Sequence, residues 1–394
     1  MSAGKERILT RNFILSFIAQ LCLSLGMYVL LSTLAEYTRN MGVSYSLAGA
    51  VTGIFIFGGF VSRLWSGDAM VRYGWKLVGC IFAVIHLIAA CFYGCVHNIP
   101  LLLLVRFIHG LGFGTVMNAV IVIGTSDLPR NRYAEGCGYF MMSTSLGVAM
   151  GSFLGGLIYD HYKAPGCFSA AIAFALIIAV SVFATDSSCL PEAIGNGKVK
   201  GRRKFRIEKV IEKKAVSMSL CMFCLAFGYA ALMSFCRLYM QQENLMGVFR
   251  YFFLVYAAVL LLSRPMIGRI QDRFGDDYVC YPCVVAQVLG LVLVAWKPCA
   301  VTVIAWAIGA ALGYGTMNAV YTTIINKRVP PSRRTYGIST FWIFSDFAVG
   351  IAPATLGFVI SAKGYGAMYF AAAAISACAI PVYWFFWGRR KIRY

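Results

Sequence analysis

The chain has 394 residues, of which 60% are hydrophobic and only 13% are charged, whereas about one residue in four is charged in a usual soluble domain. Its formal charge of +20 could indicate nucleic-acid binding, but the basic residues recur in alternate loops and do not gather with aromatic residues on one face. The sequence has no phosphate-binding loop, metal-ligand cluster or nucleophile elbow, which argues against an enzyme and against an ATP-driven pump.

Apolar stretches of about 18 to 25 residues recur along the chain, each long enough to cross a hydrocarbon core of about 30 Å. We predict twelve spans, centred near Leu23, Phe57, His86, Asn118, Gly147, Phe174, Leu225, Val255, Ala286, Gly313, Gly350 and Ala374. Most of the 35 Lys and Arg residues lie in loops on the same side as the amino terminus. The positive-inside rule then places both termini in the cytosol. The prediction is an all-α membrane protein.

Three patterns follow one another in the first half. The loop after span 2 contains Gly67, Asp68, Arg72 and Gly74, and span 4 contains Arg106-Phe-Ile-His109-Gly110-Leu-Gly112. Span 5 contains four regularly spaced glycines, Gly147, Gly151, Gly155 and Gly156. Because glycine has no side chain, this spacing lets span 5 approach a neighbouring helix closely.

The second half repeats the first at an offset of about 201 residues. Gly112 matches Gly313, Gly156 matches Gly357, and the loop after span 8 is a second copy of the loop after span 2, with Gly268, Asp272, Arg273 and Gly275. Residues 186–215 between the halves are polar and basic. We therefore predict a six-helix bundle in residues 1–185, a basic cytosolic linker in 186–215, and a second six-helix bundle in 216–394.

These features resemble the major facilitator superfamily over essentially the whole chain. The two loops are similar to its G-x-x-x-D-R-x-G-R signature, although Val71 replaces the aspartate of the first copy. The resemblance implies that this aspartate latches the cytosolic side shut. Asp68 could substitute for it in the first copy, or the latch could depend on Asp272 alone. The Arg106 stretch and the span 5 glycines resemble motifs of bacterial drug:proton antiporters, with Ser152 in place of a proline. The resemblance implies two pseudo-symmetric bundles that move by alternating access around a central site.

Ionisable residues inside a span are candidates for function, because burying a charge in lipid is costly. Asp346 in span 11 could accept a proton or bind a cationic substrate, and Arg106 in span 4 could tune it or hold an anionic group. His109 lies one turn from Arg106 and could relay protons. The alternative for these charges is a structural ion pair or a hydrogen-bonded carboxyl that fixes packing, and Arg106 could also serve conformational change alone. His109 could instead act as a hydrogen bonder, and we interpret His86 in span 3 as structural.

The resemblance also implies that spans 1, 4, 7 and 10 line a cavity. Candidate substrate contacts, each with plain packing as the alternative, are Gln20, Tyr28, Phe113, Asn118, Phe223, Phe227, Tyr314, Asn318, Tyr321 and, on span 11, Trp342. We expect no metal and no cofactor, since Cys221-Met-Phe-Cys224 and Cys280-Tyr-Pro-Cys283 have no His or acidic company.

We therefore expect a monomeric secondary active transporter in a bacterial plasma membrane, which exports a small metabolite or drug in exchange for protons. One alternative is a proton-coupled or facilitative importer of a metabolite, including organic anions. Another, of a different class, is a membrane sensor or lipid-handling scaffold that does not transport. The sequence leaves the substrate and the direction of transport open.

Overall fold

A computed structural model describes residues 8–96, 98–129, 133–186, 211–330 and 334–388. The predicted linker therefore lies almost wholly outside the described residues. Within them, all the regular structure is helical.

The helices are numbered here in chain order. The first half contains α1 (Arg11–Asn40), α2 (Tyr45–Tyr73), α3 (Trp75–Phe92), α4 (Ile99–Ser126) and α5 (Tyr133–Phe183), with a 3₁₀ turn at Tyr93–Cys95. The second half contains α6 (Val216–Gln242), α7 (Met246–Phe274), α8 (Asp277–Trp296), α9 (Ala300–Ala310), α10 (Met317–Arg328), α11 (Arg334–Ala377) and α12 (Ala379–Tyr383). A π-helical turn at Ala311–Thr316 connects α9 to α10, and another at Trp384–Gly388 follows α12.

Ten helical segments of the described residues are long and apolar enough to cross a membrane. The helices α5 and α11, with 51 and 44 residues, are each about twice as long as one crossing needs. Each contains one residue with a non-helical backbone, Lys163 (φ 55°, ψ −155°) in α5 and Gly364 (φ 82°, ψ 179°) in α11. These two breaks stand at equivalent positions of the sequence repeat.

Helix ends repeat in the same way. The glycines that follow α2 and α7, Gly74 and Gly275, both have a φ of 96°, which a residue with a side chain rarely adopts. At their amino ends, α4 is capped by Asn98, whose side chain accepts the Leu101 N–H, and α9 by Cys299 together with Thr302. The repeat therefore governs where helices begin and end.

Contacts divide the chain into two compact units. The first combines Met1–Thr33 with Gly58–Arg202, and the second combines Leu34–Phe57 with Arg203–Tyr394. The end of α1 and the first half of α2 thus pack with the second half of the sequence. The division into bundles at 1–185 and 216–394 stays a prediction.

The span 5 glycines of the first unit lie where α5 approaches α1. A Cβ atom added to Gly151 would lie 2.8 Å from the Tyr28 Cβ, and one added to Gly155 would lie 2.9 Å from the Val29 Cα. Real Cβ atoms do not come this close, so these positions require glycine.

Candidate functional site

Asp346 directly precedes an aromatic residue on α11 of the second unit. It is half-buried on α11 and is followed by Phe347, which is 39% exposed. The Phe347 ring centroid lies 6.5 Å from that of Phe57 on α2 and 6.5 Å from that of Phe223 on α6, and Phe223 lies 5.6 Å from Phe227. We call Phe57, Phe223, Phe227 and Phe347 the aromatic cluster. It brings the predicted contacts Phe223 and Phe227 together with α11.

Tyr314 reaches the residue that precedes Asp346. Its hydroxyl lies 3.1 Å from the Ser345 Oγ, and its ring stacks on Tyr229 with centroids 3.9 Å apart and an interplanar angle of 8°. Ser345, Asp346 and Phe347 are consecutive on α11, so a hydroxyl, a carboxylate and an aromatic ring follow one another around this helix. Such groups can bind an organic cation, since the carboxylate and the ring faces both attract positive charge.

The other predicted substrate contacts of the second unit differ in how deeply they are buried. Asn318 is half-buried on α10, Tyr321 is fully buried, and Trp342 is half-buried and packs edge-on against Phe341 at 5.7 Å. The burial of Tyr321 indicates packing between helices.

Arg106 and His109 belong to a buried cluster in the first unit. Arg106 is 1% exposed, and its Nη1 donates to the Tyr93 hydroxyl at 3.3 Å. That hydroxyl lies 2.9 Å from the His109 Nδ1. Since a guanidinium only donates, the Tyr93 oxygen accepts from Arg106. The direction of the hydrogen bond between the Tyr93 hydroxyl and the His109 Nδ1 depends on the His109 tautomer.

His86 completes the cluster from α3. Its ring stacks on that of His109 with centroids 4.1 Å apart, and its Nδ1 lies 3.3 Å from the His109 carbonyl oxygen, to which it donates. Tyr93, which the sequence did not suggest, stacks on Phe168 of α5 at 5.3 Å. His86 is therefore buried and hydrogen-bonded, as expected of a structural residue, but it contacts a candidate functional one.

The predicted cavity residues of the first unit are hydrogen-bonded to neighbouring side chains or buried. The Gln20 Nε2 donates to the Thr144 Oγ1 at 3.2 Å, and the Asn118 Nδ2 donates to the Ser66 Oγ at 3.0 Å. Tyr28 and Phe113 are buried.

One ion pair joins α1 to α6 in the second unit. Arg237 donates through Nε to a Glu36 carboxylate oxygen, and the Gln241 Nε2 donates to the other oxygen at 2.7 Å. Both charged residues are buried, and they are 201 residues apart, which makes them equivalent positions of the repeat. Composition did not suggest this pair, but the repeat offset could have indicated it.

Closely spaced glycines accompany the ion pair. A Cβ added to Gly53 on α2 would overlap the Gly350 carbonyl on α11, and one added to Gly49 would overlap the Pro353 carbonyl. The Thr52 and Ser234 hydroxyls lie 3.2 Å apart. The end of α1 and the start of α2 are therefore tightly packed against α6 and α11.

Comparison with known proteins identifies the family. The family model described as Major Facilitator Superfamily matches residues 16–297 and 218–393. The chain belongs to the major facilitator superfamily. The resemblance stated from its motifs is thereby confirmed.

Among curated relatives of this superfamily member, multidrug resistance protein MdtG of Escherichia fergusonii is 24% identical over 334 residues, which cover 80% of this chain and 79% of that protein. MdtG of Escherichia coli (strain K12 / DH10B) is 24% identical over 329 residues, with the same coverage.

Solved structures share the fold. A point mutant of the nucleoside transporter NupG superposes with a TM-score of 0.77 at 15% identity, covering 97% of this chain and 100% of that one. A bacterial homolog of the human lysosomal transporter Spinster, in an inward-facing unoccupied conformation, gives 0.75 at 16% identity, covering 97% and 98%. The human organic anion transporter MFSD10 gives 0.64 at 14% identity, covering 94% and 98%.

The superfamily's loop signature is at the ends of α2 and α7. Gly67, Asp68 and Val71 are exposed in the first copy, and Arg72 is half-buried. In the second copy Gly268 has open space around it, and the Arg273 guanidinium lies 5.2 Å from the Phe274 ring centroid. The side chain of Asp272 lies outside the described residues, so the choice between Asp68 and Asp272 stays a prediction.

Proposed function

We propose that this superfamily member is a secondary active transporter that exports a small organic cation, a metabolite or drug, in exchange for protons. The carrying observation is Asp346 on α11, directly before Phe347 of the aromatic cluster and directly after Ser345, which contacts Tyr314. An acid inside a membrane helix is costly and is therefore a candidate for function, and here its chain neighbour Phe347 belongs to a cluster of rings whose faces attract cations. MdtG, which is described as a multidrug resistance protein, supports export of drug-like compounds.

Twelve crossings follow if α5 and α11 each cross the bilayer twice, with the breaks at Lys163 and Gly364 as their turns. The helix formed by α9, its π-helical turn and α10 then counts as one crossing. An even number puts both termini on one side, and the basic loops assign that side to the cytosol of a bacterium.

Alternating access requires contacts that form in one state and break in another. The pair Glu36–Arg237 and the glycine contacts of α2 with α11 suit this role, because they hold the helix ends that lie away from the amino terminus. We propose that they close that end of the transport path. One chain supplies all these groups, which is consistent with a monomer.

Exchange for protons follows from the chemistry of a single carboxylate. Asp346 attracts a cation when it is ionised and loses that attraction when it is protonated, so proton and substrate bind in competition. Arg106 and His109 stay candidates for a second charge-handling site.

The first test replaces Asp346 in protein reconstituted into liposomes. With a proton gradient imposed and ethidium as an aromatic cation, the wild-type protein should move the dye against its gradient. Asp346→Asn should lower proton-driven transport by about a hundredfold, since removal of a positioned acid costs on this order. Asp346→Glu, which retains the acid, serves as the matched control and should keep measurable exchange. Full proton-driven transport by Asp346→Asn would refute the assignment.

Import of a metabolite, including organic anions, is the second candidate, and the solved structures on which the chain superposes include a nucleoside transporter and an organic anion transporter. The same liposomes separate the alternatives by the direction of movement. Proton-driven movement of uridine or of a dicarboxylate toward the cytosolic side of the protein would favour import. Tight binding of a ligand without any flux would favour a sensor.

A further inference from the structure

One buried amide joins four helical segments of the second unit. Gln287 on α8 is 1% exposed, and its Oε1 accepts the backbone N–H of Tyr314 at 2.7 Å. Its Nε2 donates to the Leu225 carbonyl on α6 at 2.9 Å and to the Ser376 Oγ on α11 at 3.2 Å. The side chain thus uses both ends of its amide to hold backbone and hydroxyl groups.

The surrounding helices leave room for this side chain. A Cβ added to Gly313 would overlap the Gln287 side chain, and a Cβ added to Gly228 would lie 2.5 Å from its Nε2. Larger residues at these two positions would displace the amide, because the interior is closely packed. The glycines and the amide therefore form one arrangement.

The Gln287 side chain is hydrogen-bonded to an unusual stretch of backbone. Tyr314 lies in the π-helical turn Ala311–Thr316, and such turns are rare and frequently occur at functional sites. From this turn the Tyr314 ring stacks on Tyr229, and its hydroxyl contacts Ser345, the residue before Asp346. Gln287 is thus linked to the proposed substrate site through Tyr314.

We infer that Gln287 is a positioning residue that holds the π-helical turn and so sets Tyr314 against Tyr229 and Ser345 as one wall of the Asp346 site. This inference rests on the proposed function and adds to it a substrate class. The aromatic cluster, which includes Phe347, the chain neighbour of Asp346, selects planar organic cations over aliphatic ones, because ring faces stack on flat cations.

The first experiment measures how Gln287 holds the turn and needs no substrate. Hydrogen–deuterium exchange of residues 311–316 is compared between the wild-type protein and Gln287→Leu. Loss of the side-chain acceptor should speed exchange in this turn by about tenfold, in line with one hydrogen bond. The matched control is His86→Leu, at the equivalent position of the first repeat, which should leave exchange in residues 311–316 unchanged. Unchanged exchange in Gln287→Leu would overturn the inference.

The second experiment measures positioning of the site. Gln287→Leu should weaken ethidium binding by about tenfold and raise KM more than it lowers kcat. Binding of tetraethylammonium, an aliphatic cation, should change less. Because Gln287→Leu could fail to fold, Tyr314→Phe is a second variant, which keeps the ring and loses the hydroxyl contact with Ser345.

A double-mutant cycle then decides whether the two residues act together. If Gln287 acts through Tyr314, the effects of Gln287→Leu and Tyr314→Phe on ethidium binding should be non-additive. Additive effects, or equal losses for ethidium and tetraethylammonium, would overturn the positioning role. A wild-type protein that binds and transports neither cation would refute the proposed function instead, and faster exchange in Gln287→Leu would still support the hold on the turn.

Discussion

Helices α3 and α4 of the first repeat and α8 to α10 of the second share a plan but bury different polar groups. His86 and Gln287 occupy equivalent positions, and each contacts the backbone of the next helix, His86 at the His109 carbonyl and Gln287 at the Tyr314 N–H. Beside them, Gly112 and Gly313 are also equivalent, and a Cβ at either would press on the polar residue. The repeat has kept the place for a buried polar group while its chemistry diverged.

The divergence extends to the surroundings. The first repeat places Arg106 and Tyr93 around its imidazoles, and the second has Ala307 and Val294 at those positions. The second repeat instead has a π-helical turn and stacked tyrosines. One scaffold therefore carries a charged cluster in one unit and an aromatic, uncharged one in the other.

The repeats also diverge at Glu36 and Arg237, where equivalent positions carry opposite charges and pair with each other. Removing this opposite charge should have the largest effect on stability. Glu36→Arg would leave two guanidiniums facing each other and should destabilise the packed state by about 3–5 kcal/mol, as for other buried pairs. Denaturation of the purified protein in detergent measures the loss.

The exchange Glu36→Arg with Arg237→Glu is the control for this prediction. It restores opposite charges and should recover most of the stability and the transport lost by Glu36→Arg. If Glu36→Arg alone were as stable and active as the wild-type protein, the ion pair would have no role in closure.

A smaller effect on stability is expected at the two helix breaks, where one substitution makes the two repeats more alike. Lys163 has a positive φ that glycine adopts freely, as Gly364 does at the equivalent position. Lys163→Gly should therefore stabilise the protein by about 1–2 kcal/mol, and Gly364→Ala should destabilise it by a similar amount. Thermal unfolding measures both, and a loss of stability in Lys163→Gly would contradict the strain.

The smallest expected effect is on the reactivity of Cys299, the cap of α9 at the position equivalent to Asn98. Hydrogen bonds from the Thr302 side chain and backbone lower the pKa of the Cys299 thiol from its usual value, so more of it is thiolate at neutral pH. In a protein whose Cys91, Cys95, Cys137, Cys189 and Cys378 are replaced by Ser, a membrane-impermeant maleimide should label Cys299 more slowly after Thr302→Val. The lost side-chain hydrogen bond raises the pKa of the Cys299 thiol again, and the labelling rates should converge at a pH above both pKa values.

Added to intact cells, the same reagent tests the predicted orientation. Cys299 lies before α9, on the side that the basic loops assign to the exterior. Labelling only after the cells are opened would contradict cytosolic termini.

What the sequence by itself determined is the class of the molecule. Hydropathy and length predicted the membrane helices, because a backbone in lipid must satisfy its own hydrogen bonds. The repeat and the loop motifs predicted the family. The spacing of the span 5 glycines predicted that α5 approaches a neighbouring helix closely, because glycine has no side chain, and in the structure that neighbour is α1.

Only the tertiary structure decided which polar groups meet. Glu36 pairs with Arg237, Arg106 with the Tyr93 hydroxyl, and Gln287 with the backbone of Tyr314, each on another helical segment. Each of these residues lies on a largely apolar helix, and hydropathy cannot assign its partner. That assignment depends on the rotation of each helix and on the packing distance at its glycines, which are properties of assembled helices rather than of any one segment.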